Sequence, residues 1–157
     1  MSKRITNATT KRINILLADD DMDDNLYFAR ALKSVSFLTK IKIVEDGEKL
    51  MSYLEKKKPN FPDILFLDLN MPRKNGFECL TEIKANENIE DFPIIIYSTS
   101  LNKSVAEECY EKGAKYYIKK GEFHDLIKHL ELVLEKFVNN NLERVTKDQF
   151  ALTLDLA

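Results

Sequence analysis

Five of the six residues that follow the first apolar run are acidic: Asp19, Asp20, Asp21, Asp23 and Asp24. Carboxylates held this close together repel one another, so a folded chain needs a reason to gather them. Oxygen ligands suit Mg²⁺, and a bound cation would relieve the repulsion. The cluster therefore predicts a divalent-metal site that other polar residues complete.

Three more reactive positions follow apolar runs later in the chain. Asp68 comes after ILFL, Ser98 and Thr99 come after IIIY, and Lys120 comes after YYIK. A carboxylate beside a metal ion can attack a phosphoryl group and form an aspartyl phosphate. A hydroxyl and an amine can then hold the remaining phosphoryl oxygens. These residue types together predict phosphoryl transfer to a carboxylate.

These residues meet at one place if the apolar runs are parallel strands. Short apolar runs alternate five times with longer segments of helical periodicity. We predict strands at 13–18, 40–44, 63–67, 94–97 and 115–119, and helices at 24–35, 48–57, 75–86, 103–112 and 123–138. This alternation predicts an α/β fold, with a doubly wound parallel sheet of five strands, (βα)5. The ligand crevice of such a sheet lies beyond the carboxyl ends of its strands.

The composition fits one globular domain. The chain has 157 residues, of which 44% are hydrophobic and 32% charged, and its formal net charge is -2. This near balance gives no argument for direct nucleic-acid binding. The apolar runs are too short for membrane insertion, and the basic N-terminus lacks the apolar core of a secretory signal. Cys79 and Cys109 lack metal-type spacing, so we expect a cytoplasmic protein with two reduced, packed thiols.

Simpler explanations account for parts of the pattern. An EF-hand over residues 19–30 fails, because Asp24 stands where glycine is required and Arg30 where glutamate is required. Asp23 or Asp24 is expected to cap the first helix, which needs one acid rather than five. An isolated acid such as Asp68 most often caps a turn.

Neighbouring residues leave two further positions open. Either Ser98 or Thr99 could supply the hydroxyl, and Lys119 or Lys120 could be a solvated surface charge. Tyr117 alone would be assigned to the core. His124 and His129 have no ligand partner at metal spacing, and we expect both at the surface.

The sequence resembles the receiver domains of two-component response regulators. The segments that carry the resemblance are LLADDD, ILFLDLNMPRKNG, PIIIYSTS and GAKYYIKKG, in the family's order, over about residues 12–137. DLNMPRKNG is the most specific of them. The resemblance implies a flavodoxin-like sheet with strand order 2-1-3-4-5.

The resemblance also implies a role for each reactive residue around the metal. Asp68 would be the phosphoacceptor and a ligand of Mg²⁺. Asp20 would bind the metal directly and Asp19 mainly through water. The backbone carbonyl of Asn70 would complete the ligands.

The remaining implied roles concern the phosphoryl group and the response to it. Ser98 and Lys120 would hold the phosphoryl oxygens, and Tyr117 would be the aromatic residue that rotates on activation. Pro72 and Gly76 would shape the loop after Asp68.

The chain departs from the family directly after Lys120. The family usually has proline there, often with a cis peptide bond, whereas this chain has Gly121. A cis bond before a residue other than proline costs about 2.5–4 kcal/mol, so we expect a trans Lys120–Gly121 peptide. The loop is also expected to be more mobile than in the family.

Three other interpretations fit less well. A phosphatase of the haloacid-dehalogenase type also has a nucleophilic aspartate after an apolar strand, but Asn70 stands where that class needs a second aspartate. The following Gly-Thr is absent, and the chain leaves little room for a cap domain. A nucleotide-binding module is disfavoured because the four glycines form neither GxGxxG nor a P-loop. A degenerate receiver that only docks is disfavoured because every chemical position is filled.

The sequence also predicts the domain organisation of the chain. We expect an N-terminal polar arm at 1–11, the receiver domain at 12–138 and a C-terminal extension at 139–157. The extension contains TKDQ, a capping-box pattern, and could form a short helix or a flexible tail.

The resemblance implies that a histidine kinase or a histidine phosphotransfer protein donates the phosphoryl group. The face formed by helix 103–112, strand 115–119 and helix 123–138 would then bind a separate downstream protein or a second copy of the chain. The alternative is a phosphate sink that drains a kinase and binds nothing.

Overall fold

A computed structural model describes residues 12–56 and 61–152, which form a parallel sheet between two layers of helices. The elements in chain order are β1 (Ile13–Ala18), α1 (Met22–Leu32), β2 (Thr39–Val44), α2 (Gly47–Lys56), β3 (Ile64–Leu67), α3 (Gly76–Ala85), β4 (Ile94–Ser98), α4 (Lys103–Glu111), β5 (Tyr116–Lys119), α5 (Phe123–Val138), α6 (Lys147–Phe150) and β6 (Ala151–Leu152). The arm predicted at residues 1–11 lies outside the described residues.

The sheet has the strand order β2-β1-β3-β4-β5-β6, and every neighbouring pair is parallel. The predicted α/β class and the order 2-1-3-4-5 are therefore confirmed. Ala18 pairs with Leu67, and Ser98 pairs with Lys119. This register brings the carboxyl ends of β1, β3, β4 and β5 to one edge, where all the predicted reactive residues lie.

The central strands are buried because helices cover both faces of the sheet. All residues of β3 and β4 are buried, as expected for apolar runs in a parallel sheet. On one face α1 and α5 pack around Phe28, Phe66 and Leu130. On the other face α2, α3 and α4 pack around a second core that includes Leu50 and Leu80.

The structure corrects the predicted number of strands from five to six. The extra strand, β6, pairs with β5 through Tyr117 with Ala151 and Ile118 with Leu152. Phe150, directly before it, is only 2% exposed and belongs to the core. Part of the extension is thus a short helix and a strand rather than a tail, because it covers the otherwise open edge of β5.

The start of α1 also differs from the prediction. The N-cap is Asp21, whose carboxylate accepts a hydrogen bond from the Asp24 backbone N–H at 3.0 Å. The prediction of Asp23 or Asp24 as the cap was wrong, because the helix begins at Met22, earlier than its apolar periodicity indicated. The side chain of Asp24 is therefore available for another contact.

Three smaller features concern the helices and the thiols packed on them. Gly113 has φ +96° just beyond α4, in the left-handed region where a glycine commonly ends a helix. Cys79 and Cys109 are buried free thiols, and burial raises the pKa of each to about 12. Across the described ranges, no helix combines the length and apolar character needed to span a membrane.

Candidate functional site

Three carboxylates converge where β1 and β3 end. Asp19, Asp20 and Asp68 each place an oxygen within 4.8 Å of the others. Asp19 is fully buried, Asp68 is 4% exposed, and Asp20 is open to solvent. An all-oxygen donor set of this kind fits a hard divalent cation, which can enter from the exposed side. The predicted cluster is thus brought together by the fold.

Lys120 lies within the same cluster. Its Nζ donates to Asp19 Oδ2 at 2.6 Å and to Asp24 Oδ2 at 2.8 Å, and it lies 4.0 Å from Asp68 Oδ2. Burial lowers the pKa of Lys120, but the bonds to these carboxylates outweigh burial and leave its pKa above the ordinary value. The amine therefore stays charged beside Asp68. Lys119 is exposed to solvent. The structure therefore assigns the amine beside the carboxylates to Lys120 and the surface charge to Lys119.

Asp68 is held in conditions that disfavour its charge. Burial is the largest cause and raises its pKa from 3.8 to about 7. Lys120 opposes this shift, the charge of Asp19 adds to it, and a backbone hydrogen bond from Asn70 opposes it. A cation in the cluster would favour the ionised carboxylate that a nucleophile requires.

This environment makes a prediction about stability. The pKa of Asp68 is about 7 in the folded protein against 3.8 ordinarily, so raising the pH through this interval removes stability from metal-free protein. Asp68→Asn cannot lose that stability. In urea denaturation with a chelator, we expect the variant to be more stable at pH 8 by about 2–4 kcal/mol, at about 1.4 kcal/mol per pKa unit. The gain should vanish near pH 4.

A matched control is Asp46→Asn, at another buried acid. Asp46 lies 3.5 Å from the Arg73 Nε and accepts the Lys49 N–H at 2.8 Å, so its replacement should bring no such gain. A gain from Asp68→Asn that did not change with pH would contradict this account of the site.

Ser98 ends β4 and is 1% exposed. Its Oγ has no hydrogen-bond partner within the part of the chain that the structure describes, whereas Thr99 is exposed. A buried hydroxyl without a partner is costly, which makes Ser98 the better placed of the two to receive a ligand oxygen. The backbone N–H of Lys120 donates to the Ser98 carbonyl at 2.7 Å, which links the two strand ends.

Tyr117 is fully buried in β5. Burial raises the pKa of its phenol. Its hydroxyl donates to the Ser100 carbonyl at 2.5 Å. The ring also meets Phe150 edge-on, with 6.3 Å between the centroids. The predicted switch residue therefore contacts both the loop after β4 and the C-terminal extension.

The loop after Asp68 is shaped by a close backbone approach. A Cβ at Gly76 would lie 2.3 Å from the Asp68 carbonyl oxygen, so glycine is required there. Asn75 and Glu78 form a reciprocal capping box that fixes the start of α3. Asn70 lies in this loop and is exposed. The resulting backbone path holds Asp68 against the other two acids.

Two residues at this edge were missed by the sequence analysis, which assigned Asp24 to capping and did not consider Tyr27. Asp24 binds the Lys120 amine, and the Tyr27 hydroxyl donates to the Gly121 carbonyl at 2.9 Å. The available signal was position: α1 starts directly beyond Asp20, so its first turns lie over the same edge.

Comparison with known proteins identifies related chains. The family model described as the response regulator receiver domain matches residues 15–131. Response regulator Rcp1 of Synechocystis sp. is 31% identical over 123 residues, which cover 74% of this chain and 83% of Rcp1. Two-component response regulator ARR17 of Arabidopsis thaliana is 26% identical over 119 residues, covering 70% of this chain and 76% of ARR17.

Two solved structures of response regulators are also similar to this chain. The phosphorylated cyanobacterial phytochrome response regulator RcpA matches with a TM-score of 0.73 and 27% identity, over 83% of this chain and 96% of RcpA. The Mn(2+)-bound form of Rcp1 matches with a TM-score of 0.68 and 31% identity, over 85% of this chain and 96% of Rcp1.

Proposed function

The chain belongs to the receiver domains of response regulators, and from this premise we propose that Asp68 accepts a phosphoryl group in a two-component phosphorelay. The observation that carries the proposal is the convergence on Asp68 of two further carboxylates and a buried, charged amine. The donor would be a histidine kinase or a histidine phosphotransfer protein. The protein would act as a signalling protein that catalyses only its own phosphorylation and dephosphorylation.

The chemistry is a single displacement at phosphorus. A carboxylate oxygen of Asp68 attacks, and the new O–P bond forms as the P–N bond of a phosphohistidine breaks. The electron pair of the broken bond stays on the imidazole nitrogen. Lys120 and the Ser98 hydroxyl would bind the phosphoryl oxygens as negative charge spreads over them.

We further propose Mg²⁺ as the metal, held by Asp20, Asp68 and the backbone carbonyl of Asn70, with Asp19 acting mainly through water. The bound cation would supply positive charge that offsets the repulsion between the carboxylates and the incoming phosphoryl group. Support comes from the oxygen donor set and from Rcp1, whose structure holds Mn(2+). The free thiols Cys79 and Cys109 fit a cytoplasmic location.

Acetyl phosphate with Mg²⁺ tests this function. We expect one phosphoryl group per wild-type chain by intact mass spectrometry, and none when a chelator replaces Mg²⁺. Asp20→Ala should weaken Mg²⁺ binding and phosphorylation strongly, because it removes an exposed ligand. Asp23→Ala removes the same charge from a neighbouring exposed position and should leave both near wild type.

Asp21→Ala provides a second control. It removes the N-cap of α1, so we expect about 1 kcal/mol lower stability with Mg²⁺ affinity retained. Equal losses of Mg²⁺ affinity in all three variants would mean that the cluster binds metal diffusely. Repeated turnover of phosphate esters, instead of one stoichiometric transfer, would identify a phosphatase.

The output would leave through the face of α4, β5 and α5, to a separate protein or a second copy of the chain. The C-terminal extension lies on part of this face: the Tyr110 hydroxyl donates to the Val145 carbonyl at 2.6 Å. Phe150 meets both Tyr110 and Tyr117. A change at Tyr117 would therefore alter the extension as well as the helices. An unchanged binding profile after activation would favour the phosphate sink.

A further inference from the structure

The loop between β5 and α5 has glycine directly after Lys120, so no proline restricts its backbone at this point. Gly121 follows Lys120, and a Cβ built on Gly121 would meet nothing within 4 Å. No atom of the described residues therefore packs against the side-chain position of Gly121, and glycine has more conformational freedom than any other residue. Lys120 nevertheless lies at a defined position beside Asp68, with its Nζ 4.0 Å from the carboxylate.

Helix α1 holds this segment through two side chains that lie three residues apart on the same helix face. Asp24 accepts a hydrogen bond from the Lys120 amine at 2.8 Å. Tyr27 donates a hydrogen bond to the Gly121 carbonyl at 2.9 Å. The Tyr27 ring is itself set by an edge-on contact with Phe123, with 5.2 Å between the centroids. The contacts from α1 thus reach both the Lys120 side chain and the backbone of the residue that follows it.

The number of donors on Lys120 shows why its position matters. An ammonium group has three N–H donors. Asp19 and Asp24 take two of them, at 2.6 and 2.8 Å, which leaves one for a phosphoryl oxygen on Asp68. If the loop moves, the amine loses this arrangement. The backbone of Lys120 is fixed on one side by its bond to Ser98, and the Tyr27 bond fixes the Gly121 side.

We propose that Tyr27 is a positioning residue for Lys120, which restrains the glycine-containing loop through the Gly121 carbonyl so that the lysine amine is held for phosphoryl binding. The inference rests on the proposed function of Asp68 and names a residue that acts on it through the loop. Tyr27 takes no part in the chemistry itself, since its hydroxyl contacts the loop backbone.

The proposal is tested by calorimetric titration with beryllofluoride in the presence of Mg²⁺. Beryllofluoride takes the place of the phosphoryl group. Tyr27→Phe keeps the ring contact and removes the hydroxyl, and we expect about three- to tenfold weaker binding, the range for one lost hydrogen bond. Gly121→Ala in the Tyr27→Phe background should recover much of the affinity, because it restricts the same backbone without a clash. Tyr53→Phe, on α2 across the sheet, is the matched control and should bind normally.

A second readout needs neither metal nor beryllofluoride. Amide hydrogen exchange at residues 121–123 should be faster in Tyr27→Phe than in wild type, and slower again in the double variant. Wild-type protein that fails to bind beryllofluoride would overturn the proposed function and this inference with it. Normal wild-type binding, with unchanged affinity and exchange in Tyr27→Phe, would overturn this inference alone.

Discussion

Replacing Lys120 with alanine should slow phosphorylation by acetyl phosphate about 100- to 1000-fold at saturating Mg²⁺, the usual cost of removing one donor to a developing anion. The reason is that Lys120 is the cation beside the acceptor: its Nζ lies 4.0 Å from Asp68 Oδ2, and its side chain is only 9% exposed. The single-turnover rate, measured by intact mass, reports the loss directly.

The neighbouring lysine is the control for that experiment. Lys119→Ala removes the same charge one residue earlier, from an exposed position, and should leave the rate within about twofold of wild type, as surface charges contribute little. Lys120→Arg keeps the charge but changes the donor geometry, so it should restore only part of the rate. Equal rates for the two alanine variants would show that Lys120 does not hold the phosphoryl group.

Replacing Phe150 with alanine should release the C-terminal extension from β5. Truncation of a buried phenylalanine costs about 3–5 kcal/mol, and Phe150 is only 2% exposed between Tyr110 and Tyr117. Because β6 has just two residues, we expect the loss to appear as local opening. Hydrogen exchange should rise over residues 142–152 while the core strands keep their protection.

The surface contact of the extension is the matched control. Lys147→Ala breaks an exposed ion pair with Glu111 at 3.6 Å, which should change stability by less than about 0.5 kcal/mol. If the extension carries the output, beryllofluoride should also change exchange over 147–152 in the wild type. Protection of the extension that responded neither to Phe150→Ala nor to beryllofluoride would exclude it from the signalling route.

The fold was predictable because the strands are short apolar runs that end in polar residues. The predicted strand 13–18 has the bounds observed for β1, and the order of the first five strands is as predicted. The strand β6 was not predictable, since two residues carry no periodicity and they pair with β5, which is distant in sequence. Long-range cover of this kind leaves little local signal.

The sequence was sufficient to predict which strand ends carry the site residues. It did not predict which partners those residues contact. The choice of Ser98 over Thr99 follows from where β4 ends, because Ser98 is its last residue and is buried, whereas Thr99 lies beyond the strand and is exposed. The cap of α1 was assigned to Asp23 or Asp24 instead of Asp21, because one capping acid looks like another in sequence. The structure separates them: Asp21 binds the helix backbone, and Asp24 binds Lys120.

Phosphorylation of the Asp68→Asn variant is the most direct test of the central claim. Wild-type protein and the variant would be incubated with Mg²⁺ and acetyl phosphate, and the phosphoryl content read by intact mass before and after mild acid treatment. We predict one acid-labile phosphoryl group on the wild type and none on Asp68→Asn. Incorporation into Asp68→Asn at the wild-type level would place the acceptor elsewhere and contradict the account.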